Sequence, residues 1–147
     1  MLIKYIRNIK YSHLNAIVGI EGESYRNPWT KEHFDKDINH PCSINYGYIK
    51  DNELRGYLFG YLIENEYHLN KITVKEIYRQ RNIGKQLFLY CLNKLKSENV
   101  KCIQLEVSSL NLIAQNFYKN LDFICNGLRK DYYSKDEDAL LYTLRLK

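Results

Sequence analysis

Residues 74–85 form the part of the sequence whose residue types most directly suggest ligand chemistry. They include Asn82 and Gly84, which adopt left-handed or open backbone more easily than most residues, immediately before a predicted helix. They also include three cations, Arg79, Arg81 and Lys85. Because the first N–H groups of a helix have no partner within it, such a turn can bind an anion. On these residues alone, a solvated basic turn that happens to precede a helix is an equal alternative.

The net charge of the chain is concentrated around this turn. The 147 residues carry a formal charge of +5. Seven basic and two acidic residues lie between Lys75 and Lys101, and this excess equals the whole net charge. We therefore expect the partner to be a compact anionic group, and we expect no direct binding of nucleic acid.

A second candidate for chemistry is the carboxylate of Glu106, near the end of the predicted strand 100–107. Its neighbours in the sequence are Leu105 and Val107. A partly desolvated carboxylate has a raised pKa, which suits a general base. A carboxylate in solvent at the edge of a sheet is the more common situation, so the residue type alone leaves both interpretations open.

Two polar residues of the next predicted helix, residues 111–120, could take part in the same chemistry. Asn111 opens the helix, where asparagine is a preferred N-cap. Tyr118 follows about two helical turns later. Its ring can pack in the core, or its hydroxyl can face a reacting centre.

The elements that must position these residues follow from hydrophobic periodicity. We predict an α/β (α+β) fold, in which a mixed, mostly antiparallel twisted sheet of about seven strands is combined with about four helices. The predicted order is β-α-α-β-β-β-α-β-α-β-β, with strands at 2–7, 43–50, 53–64, 67–74, 100–107, 123–132 and 139–146 and helices at 12–25, 30–38, 82–98 and 111–120. The strand-helix-strand unit 67–107 predicts a parallel pair. Ser12 and Thr30 are the predicted N-caps of the first two helices.

Composition and cysteine usage narrow the class of protein. No linker, repeat or low-complexity segment interrupts the chain, so we predict a single domain, residues 1–147. No stretch has the roughly 18 apolar residues of a membrane span, and the first residues lack the pattern of a signal peptide. The four cysteines form no C-x-x-C pair, and no histidine pair has zinc-ligand spacing. We expect a cytoplasmic protein without a membrane partner and without a metal.

The basic turn also resembles a family signature. Arg79, Asn82 and Gly84 form R-x-x-N-x-G, which is similar to the acetyl-CoA-binding signature Q/R-x-x-G-x-G/A of the GNAT N-acetyltransferases. In that family the backbone N–H groups of this turn hold the pyrophosphate of coenzyme A. Asn82 replaces the usual first glycine. Since asparagine reaches left-handed backbone more readily than other non-glycine residues, we expect the turn to be kept.

The similarity extends over almost the whole chain. The stretch LEVSSLNLIAQNFYKNLDF resembles the family segment L-E-V-R-x-x-N-x-x-A-x-x-x-Y-x-x-x-G-F, with Asp122 as a local adjustment where the family has glycine. N-P-W-T near residue 28 and N-K-I-T-V before the turn agree as well. The ending R-x-x-Y-Y…E-D-A, from Arg129 to Ala139, is most similar to the ribosomal-protein-alanine N-acetyltransferase (RimI-type) branch.

The resemblance implies a GNAT fold, acetyl-CoA as co-substrate and a role for each matching residue. Glu106 matches the general base, and Tyr118 matches the general acid. The implied acetyl-CoA contacts are Ile72, Thr73, Val74, Arg79, Gln80, Arg81, Asn82, Ile83, Gly84, Lys85 and Asn111. The implied acceptor-site residues are Glu21, Trp29, Tyr132 and Tyr133, although packing is the simpler explanation for Trp29.

The implied reaction is direct transfer of an acetyl group from acetyl-CoA to a primary amine. The branch points to the N-terminal α-amine of a protein, such as a ribosomal protein, and we expect a monomer or a weak homodimer. A small amine, such as a polyamine or an aminoglycoside, is the alternative acceptor, and the carboxylates at 136–138 keep it open. A non-catalytic ribosome- or RNA-binding module and a sensor of acetyl-CoA are further alternatives.

Overall fold

The computed structural model describes the backbone of residues 2–147 and the side chains from Lys4 onward. The strands are β1 (Ile6–Asn8), β2 (Tyr46–Lys50), β3 (Glu53–Ile63), β4 (Glu66–Val74), β5 (Cys102–Ser108), β6 (Ile124–Ser134) and β7 (Glu137–Arg145). The helices are α1 (Leu14–Ser24), α2 (Lys31–Asn39), α3 (Ile83–Lys96) and α4 (Leu112–Lys119). The strands form one sheet in the order β1-β2-β3-β4-β5-β7-β6, in which only β4 and β5 are parallel. The predicted fold class and element order are confirmed.

Two predictions near the N-terminal end are wrong. Residues Leu2–Tyr5 form a 3-10 turn, and β1 contributes only three residues. A few alternating apolar and polar residues cannot distinguish a short strand from a turn, which explains the error. Ser12 lies inside a second 3-10 turn, which the N–H of His13 closes by donating to the carbonyl oxygen of Lys10 at 2.9 Å. The N-cap of α1 is His13. By contrast, Thr30 caps α2 as predicted, accepting from the N–H of His33 at 3.1 Å.

The helices cover the sheet on its two faces. The apolar stripe of α3, which includes Leu87 and Leu95, packs in a core cluster that also contains Leu58 of β3. The flanking residues of β3, Tyr57 and Phe59, belong instead to a second cluster with side chains of α1 and α2. Since successive side chains of a strand point to opposite faces, α3 lies on one face and α1 and α2 on the other.

The sheet opens between its two parallel strands. Only the first three residues of β4 pair with β5, where 66–68 align with 102–104. Further along, β4 pairs with β3 and β5 pairs with β7. Within the described chain, the facing edges of residues 69–74 and 105–108 therefore have no strand partner. We call this opening the split.

The described residues contain neither a membrane-spanning helix nor a cluster of metal-ligating side chains. None of the helices in 2–147 combines the length and the apolar character that crossing a membrane requires. In the same part of the chain, no group of three or more His, Cys, Asp or Glu side chains is placed to hold a metal ion.

Candidate active site

The turn that precedes α3 contains two left-handed residues. Asn82, the N-cap of α3, has φ 63° and ψ 17°, so its predicted left-handed conformation is confirmed. Gln80, two residues earlier, has φ 61°. Left-handed residues in a turn can direct neighbouring N–H groups toward one side, where they can bind an anion. The conformation of Gln80 was not predicted, because glutamine rarely adopts it.

The N-terminus of α3 has N–H groups available for a ligand. The Asn82 side chain makes no cap hydrogen bond. The backbone carbonyl oxygen of Asn82 accepts from the N–H of Gln86 at 3.0 Å. Consequently the N–H groups of Ile83, Gly84 and Lys85 have no hydrogen-bond partner in the described chain. The positive end of the helix dipole adds to the attraction that these groups exert on an anion.

Gly84 lies where α3 faces α4 and the end of β4. A Cβ atom at this residue would lie 3.6 Å from the ring of Phe117 and 3.7 Å from Cγ2 of Val74. These are ordinary van der Waals distances, so a methyl group fits. A larger side chain would extend into a gap whose two walls are already in contact with the Cβ. A side chain larger than alanine at residue 84 would therefore have to fit between Val74 at the end of β4 and Phe117 on α4.

The cations around the turn divide into two groups. Arg79 donates from Nε to the carbonyl oxygen of Val74 at 2.8 Å and from Nη2 to the Ser24 hydroxyl at 3.0 Å. These bonds fasten the turn to β4 and α1. Arg81 and Lys85 are exposed and remain available to an anion.

The end of β4 borders the split. Residues 72–74 pair with β3 on one side, while the other edge faces the opening. Thr73 is buried, and its hydroxyl oxygen lies 2.7 Å from the hydroxyl oxygen of Tyr25. The backbone groups on the free edge of β4 are therefore held in a fixed position and are not used by another strand.

A cleft with a volume of about 700 Å³ lies at the split, between β4, β5, the β6–β7 hairpin and the segment before α2. It brings together four of the residues that the sequence assigned to chemistry or to the acceptor: Trp29, Glu106, Tyr132 and Tyr133. The Glu106 side chain is 32% exposed, and its Oε1 atom lies 3.7 Å from Nη2 of Arg129. The carboxylate is thus accessible from the cleft and held by one ion pair.

Aromatic side chains flank Glu106. The rings of Tyr132 and Tyr133 meet edge to face, with centroids 5.1 Å apart and an interplanar angle of 82°. The guanidinium of Arg129 lies 5.5 Å from the centroid of the Tyr132 ring. Burial raises the pKa of Tyr133, and the negative charge of Glu106 raises it further, which reflects how close the two side chains are. Trp29 provides the wall contributed by the segment before α2.

Glu21 lies behind the wall of this cleft. It is fully buried, and its Oε1 accepts from the Tyr57 hydroxyl at 2.6 Å. Its Oε2 accepts from the N–H of Trp29 at 2.9 Å and from the ammonium of Lys71. Direct contact between Glu21 and an acceptor amine, which the sequence suggested, would require one of these donors to release the carboxylate.

Tyr118 lies on α4 and Asn111 is the N-cap of that helix, and neither lines the cleft. The ring of Tyr118 packs edge to face on Phe117 and Phe123, with centroid distances of 5.2 and 5.5 Å. Burial, and to a smaller extent the nearby Tyr25, raises the pKa of Tyr118. Asn111 caps α4 as predicted, because its Oδ1 accepts from the N–H of Ala114 at 3.0 Å.

Sequence analysis missed two side chains that matter for the cleft. Arg129 was identified only as part of a similar motif, with no role, although it is the ion-pair partner of Glu106. Lys71 precedes the predicted acetyl-CoA strand residues and received no role either. Its contact with Glu21 joins residues 50 positions apart in the chain, and no local spacing signals such a contact.

Comparison with known proteins identifies the family. The profile of the acetyltransferase (GNAT) family matches residues 14–123. The chain belongs to the GNAT acetyltransferase family. This GNAT protein is 30% identical over 138 residues to a Bacillus subtilis (strain 168) protein provisionally assigned as a ribosomal protein bS18-alanine N-acetyltransferase, with 92% of this chain and 91% of that protein covered.

Solved GNAT structures share the fold at lower identity. The ribosomal-protein-S18-alanine N-acetyltransferase of Escherichia coli superimposes with a TM-score of 0.91 at 23% identity, covering 97% of this chain and 93% of that one. An aminoglycoside 6′-N-acetyltransferase complexed with coenzyme A gives a TM-score of 0.85 at 14% identity, covering 95% and 96%. These likenesses establish the GNAT fold of this acetyltransferase. They do not identify its acceptor.

Proposed function

We propose that this GNAT protein transfers an acetyl group from acetyl-CoA directly to the N-terminal α-amine of a protein or peptide, with a ribosomal protein as the favoured acceptor. The observation that carries the proposal is the position of Glu106, in a cleft with aromatic walls where β4 and β5 separate. The 30% identical Bacillus subtilis relative, whose provisional assignment names a ribosomal protein, supports the choice of acceptor.

The residues on the far side of the split fit the charged part of coenzyme A. The turn 80–85 and the start of α3 would hold the pyrophosphate with free N–H groups, assisted by Arg81 and Lys85. The free edge of β4 at 72–74 would hold the rest of the molecule through its backbone, and Asn111 would add a contact. When bound, acetyl-CoA supplies the acetyl group as a thioester.

Glu106 would act as the general base of this reaction. An α-amine has a pKa of about 7.7 to 8.0 in its ordinary state, so a large fraction is protonated at neutral pH. The carboxylate of Glu106, directly or through a water, would take a proton from the amine and free its lone pair for attack. The ion pair with Arg129 would keep the carboxylate oriented toward the cleft. Backbone N–H groups near Val74 would donate to the thioester carbonyl oxygen.

Tyr118 would act as the general acid. Because burial raises the pKa of its hydroxyl, Tyr118 keeps its proton throughout the neutral range. It could therefore give that proton to the thiolate as the C–S bond breaks. The second proton that the nitrogen loses as the amide forms would return to Tyr118 through water, and Glu106 would release its proton to solvent. The rings of Phe117 and Phe123 fix its position, and Phe117 also borders the gap next to Gly84.

None of the four cysteines, which all lie in the described chain, lines the cleft around Glu106, and this favours direct transfer without a covalent enzyme intermediate. The four cysteines are free. Burial raises the pKa of Cys91 to about 12, so this thiol is not ionised at neutral pH. Cys102, which shares a strand with Glu106, is also buried. Neither buried thiol is exposed to a substrate, as a nucleophile must be.

A small polyamine or aminoglycoside is the less favoured acceptor. Among the described side chains that line the cleft, Glu106 is the one carboxylate, and Lys71 and Arg129 carry positive charge. A polycation would be repelled by this arrangement. The acidic residues at 136–138 are used differently, since Glu137 accepts from the Ser108 hydroxyl at 2.6 Å and Asp138 accepts from a backbone N–H at 2.8 Å.

The non-catalytic alternatives have less support. Part of the basic segment is engaged within the chain, because Lys75 lies 3.0 Å from Glu53 and Arg79 is bonded to β4 and α1. An RNA-binding surface would need those charges free. A sensor that only binds acetyl-CoA has no need for Glu106 in a cleft open to a second substrate.

The proposal is tested by following release of free thiol from acetyl-CoA. The acceptor panel consists of peptides with different N-terminal residues, including the N-termini of ribosomal proteins, alongside a polyamine and an aminoglycoside. We expect rapid release with peptides and little with the small amines. Release with the small amines alone would show that the acceptor is a small amine and not a peptide. No release with any acceptor would refute the transferase function.

A further inference from the structure

Lys71 is a buried cation in the wall of the acceptor cleft. It lies on β4, one residue before the proposed acetyl-CoA contacts, and its side chain is only 10% exposed. Burial lowers the pKa of Lys71, and the carboxylate of Glu21 opposes that effect. A buried ammonium strongly destabilises a protein unless it is paired, so the position of Lys71 needs a reason.

Glu21 provides the pairing, and it connects three parts of the fold. The carboxylate comes from α1, accepts from the Tyr57 hydroxyl on β3, and accepts from Lys71 on β4. It also accepts from the backbone N–H of Trp29, in the segment before α2. The pair therefore attaches the segment that carries Trp29 to the central strands of the sheet.

The ammonium of Lys71 also contacts the tryptophan ring itself. It lies 4.2 Å from the centroid of the Trp29 ring and 4.1 Å from that of Tyr25. Both distances fall in the range of an attractive cation–π contact, which is stronger where water is excluded. His33 stacks on Trp29 with a centroid distance of 4.0 Å and an interplanar angle of 20°. The indole is thus held by a backbone bond, a cation and a stacked ring.

We propose that Lys71, held by Glu21, is a positioning residue that fixes the Trp29 wall of the acceptor cleft. This inference rests on the proposed function, because it assigns Trp29 to acceptor binding. In the described chain, the hydrogen bond, ion pair and cation–π contacts of Lys71 are with Glu21, Tyr25 and Trp29, and none of them is with the turn that precedes α3. Its loss should therefore weaken binding of the acceptor and leave binding of acetyl-CoA unchanged.

Trp29 offers a direct probe, because it is the one tryptophan of the chain. Its fluorescence reports the surroundings of this indole alone. Quenching by acrylamide measures how accessible the ring is, with no acceptor or acetyl-CoA present. This measurement separates a change in the wall of the cleft from a general loss of stability, which would appear in thermal unfolding.

The experiment compares three variants with the wild type. Lys71→Met removes the cation but leaves the Glu21 charge buried, so its melting temperature should fall. The double variant Glu21→Gln/Lys71→Met removes both charges and should fold. Lys50→Met is the matched control, since Lys50 makes a cation–π contact with Tyr5 at 5.2 Å, outside the cleft. Each protein is tested for acrylamide quenching, thermal unfolding, acceptor KM and acetyl-CoA KM.

In the double variant we expect a rise in acrylamide quenching and a rise of about tenfold in acceptor KM, with acetyl-CoA KM unchanged. Lys50→Met should match the wild type in all four measurements. A lower melting temperature with unchanged quenching and unchanged acceptor KM would overturn the inference, since it describes a purely stabilising pair. If the wild type acetylates no peptide, the proposed function fails, and quenching still decides whether Lys71 positions Trp29.

Discussion

The turn before α3 and the cleft that contains Glu106 are built by different means. The turn consists of backbone: two left-handed residues, Gln80 and Asn82, and the free N–H groups that follow them. The cleft consists of side chains contributed by four strands and by the segment before α2. One half of the site therefore depends on local conformation, and the other depends on tertiary contacts.

This difference explains how each half tolerates change in sequence. At the turn, Asn82 replaces the usual glycine of the signature, and the left-handed conformation is kept because asparagine can adopt it. In the cleft, Trp29 depends on Glu21 and Lys71, which lie 50 residues apart in the chain. A change in either partner alone would leave a charge buried without its counterpart.

The largest expected effect comes from the cleft. Glu106→Gln removes the proposed base while keeping the shape of the side chain, so kcat should fall by about 100-fold to 10,000-fold. The dissociation constant for acetyl-CoA should not change, because the turn before α3 is untouched. Steady-state kinetics and calorimetric titration measure the two quantities, with the exposed Glu98→Gln as control. An unchanged kcat would remove Glu106 from the mechanism.

Tyr118→Phe should lower kcat by about 100-fold, at the weaker end of the same range, and leave acetyl-CoA affinity intact. The pH profile adds a second test. The pKa of Tyr118 is raised above its ordinary value of 10.0, so the acid stays protonated as pH rises and is lost only above that value. The rate of the wild type should therefore not decline between neutral pH and about pH 10. If the rate of the wild type instead begins to decline near pH 8, and this decline is absent in Tyr118→Phe, the pKa of Tyr118 is not raised and the prediction is wrong.

Substitutions in the turn before α3 should change acetyl-CoA affinity, in contrast to the substitutions of Glu106 and Tyr118, which should change kcat. Gly84→Trp fills the gap between Val74 and Phe117, so acetyl-CoA affinity should fall between about fivefold and about a hundredfold. Gly84→Ala is the matched control, since its Cβ makes only ordinary contacts and alanine favours a helix. Both variants should bind acetyl-CoA as the wild type does if this gap is not part of the binding site.

The smallest effect should come from the exposed cations of the turn. Arg81→Ala and Lys85→Ala should each weaken acetyl-CoA binding by about twofold to about fivefold, because exposed charges are screened by solvent and salt. The loss should shrink as salt concentration rises. A loss as large as that of Gly84→Trp, in either variant, would mean that side-chain charge rather than backbone holds the pyrophosphate.

The parts that could be predicted from sequence are those set by local rules. Thr30 and Asn111 follow cap preferences, and Asn82 and Asp122 adopt the left-handed conformation expected of short polar residues. The family resemblance singled out Glu106, Tyr132 and Tyr133 as site residues, and all three line one cleft in the structure.

The parts that could not be predicted depend on contacts distant in sequence or on weak local patterns. The Glu21–Lys71 and Glu106–Arg129 pairs form only after β4, β5 and β6 are assembled. The strand expected at residues 2–7 rested on alternation alone, which a 3-10 turn satisfies equally well. Gln80 adopts a conformation that its residue type does not favour.

The most direct test of the proposed acceptor maps the product on a single peptide that carries both an N-terminal α-amine and a lysine side chain. A lysine amine has a pKa of about 10.4, so it is far more completely protonated at neutral pH than an α-amine. We expect mass spectrometric fragmentation to locate the acetyl group on the α-amine in the wild type and to detect almost none with Glu106→Gln. Acetylation of the lysine side chain instead, or equal acetylation by both proteins, would contradict the account.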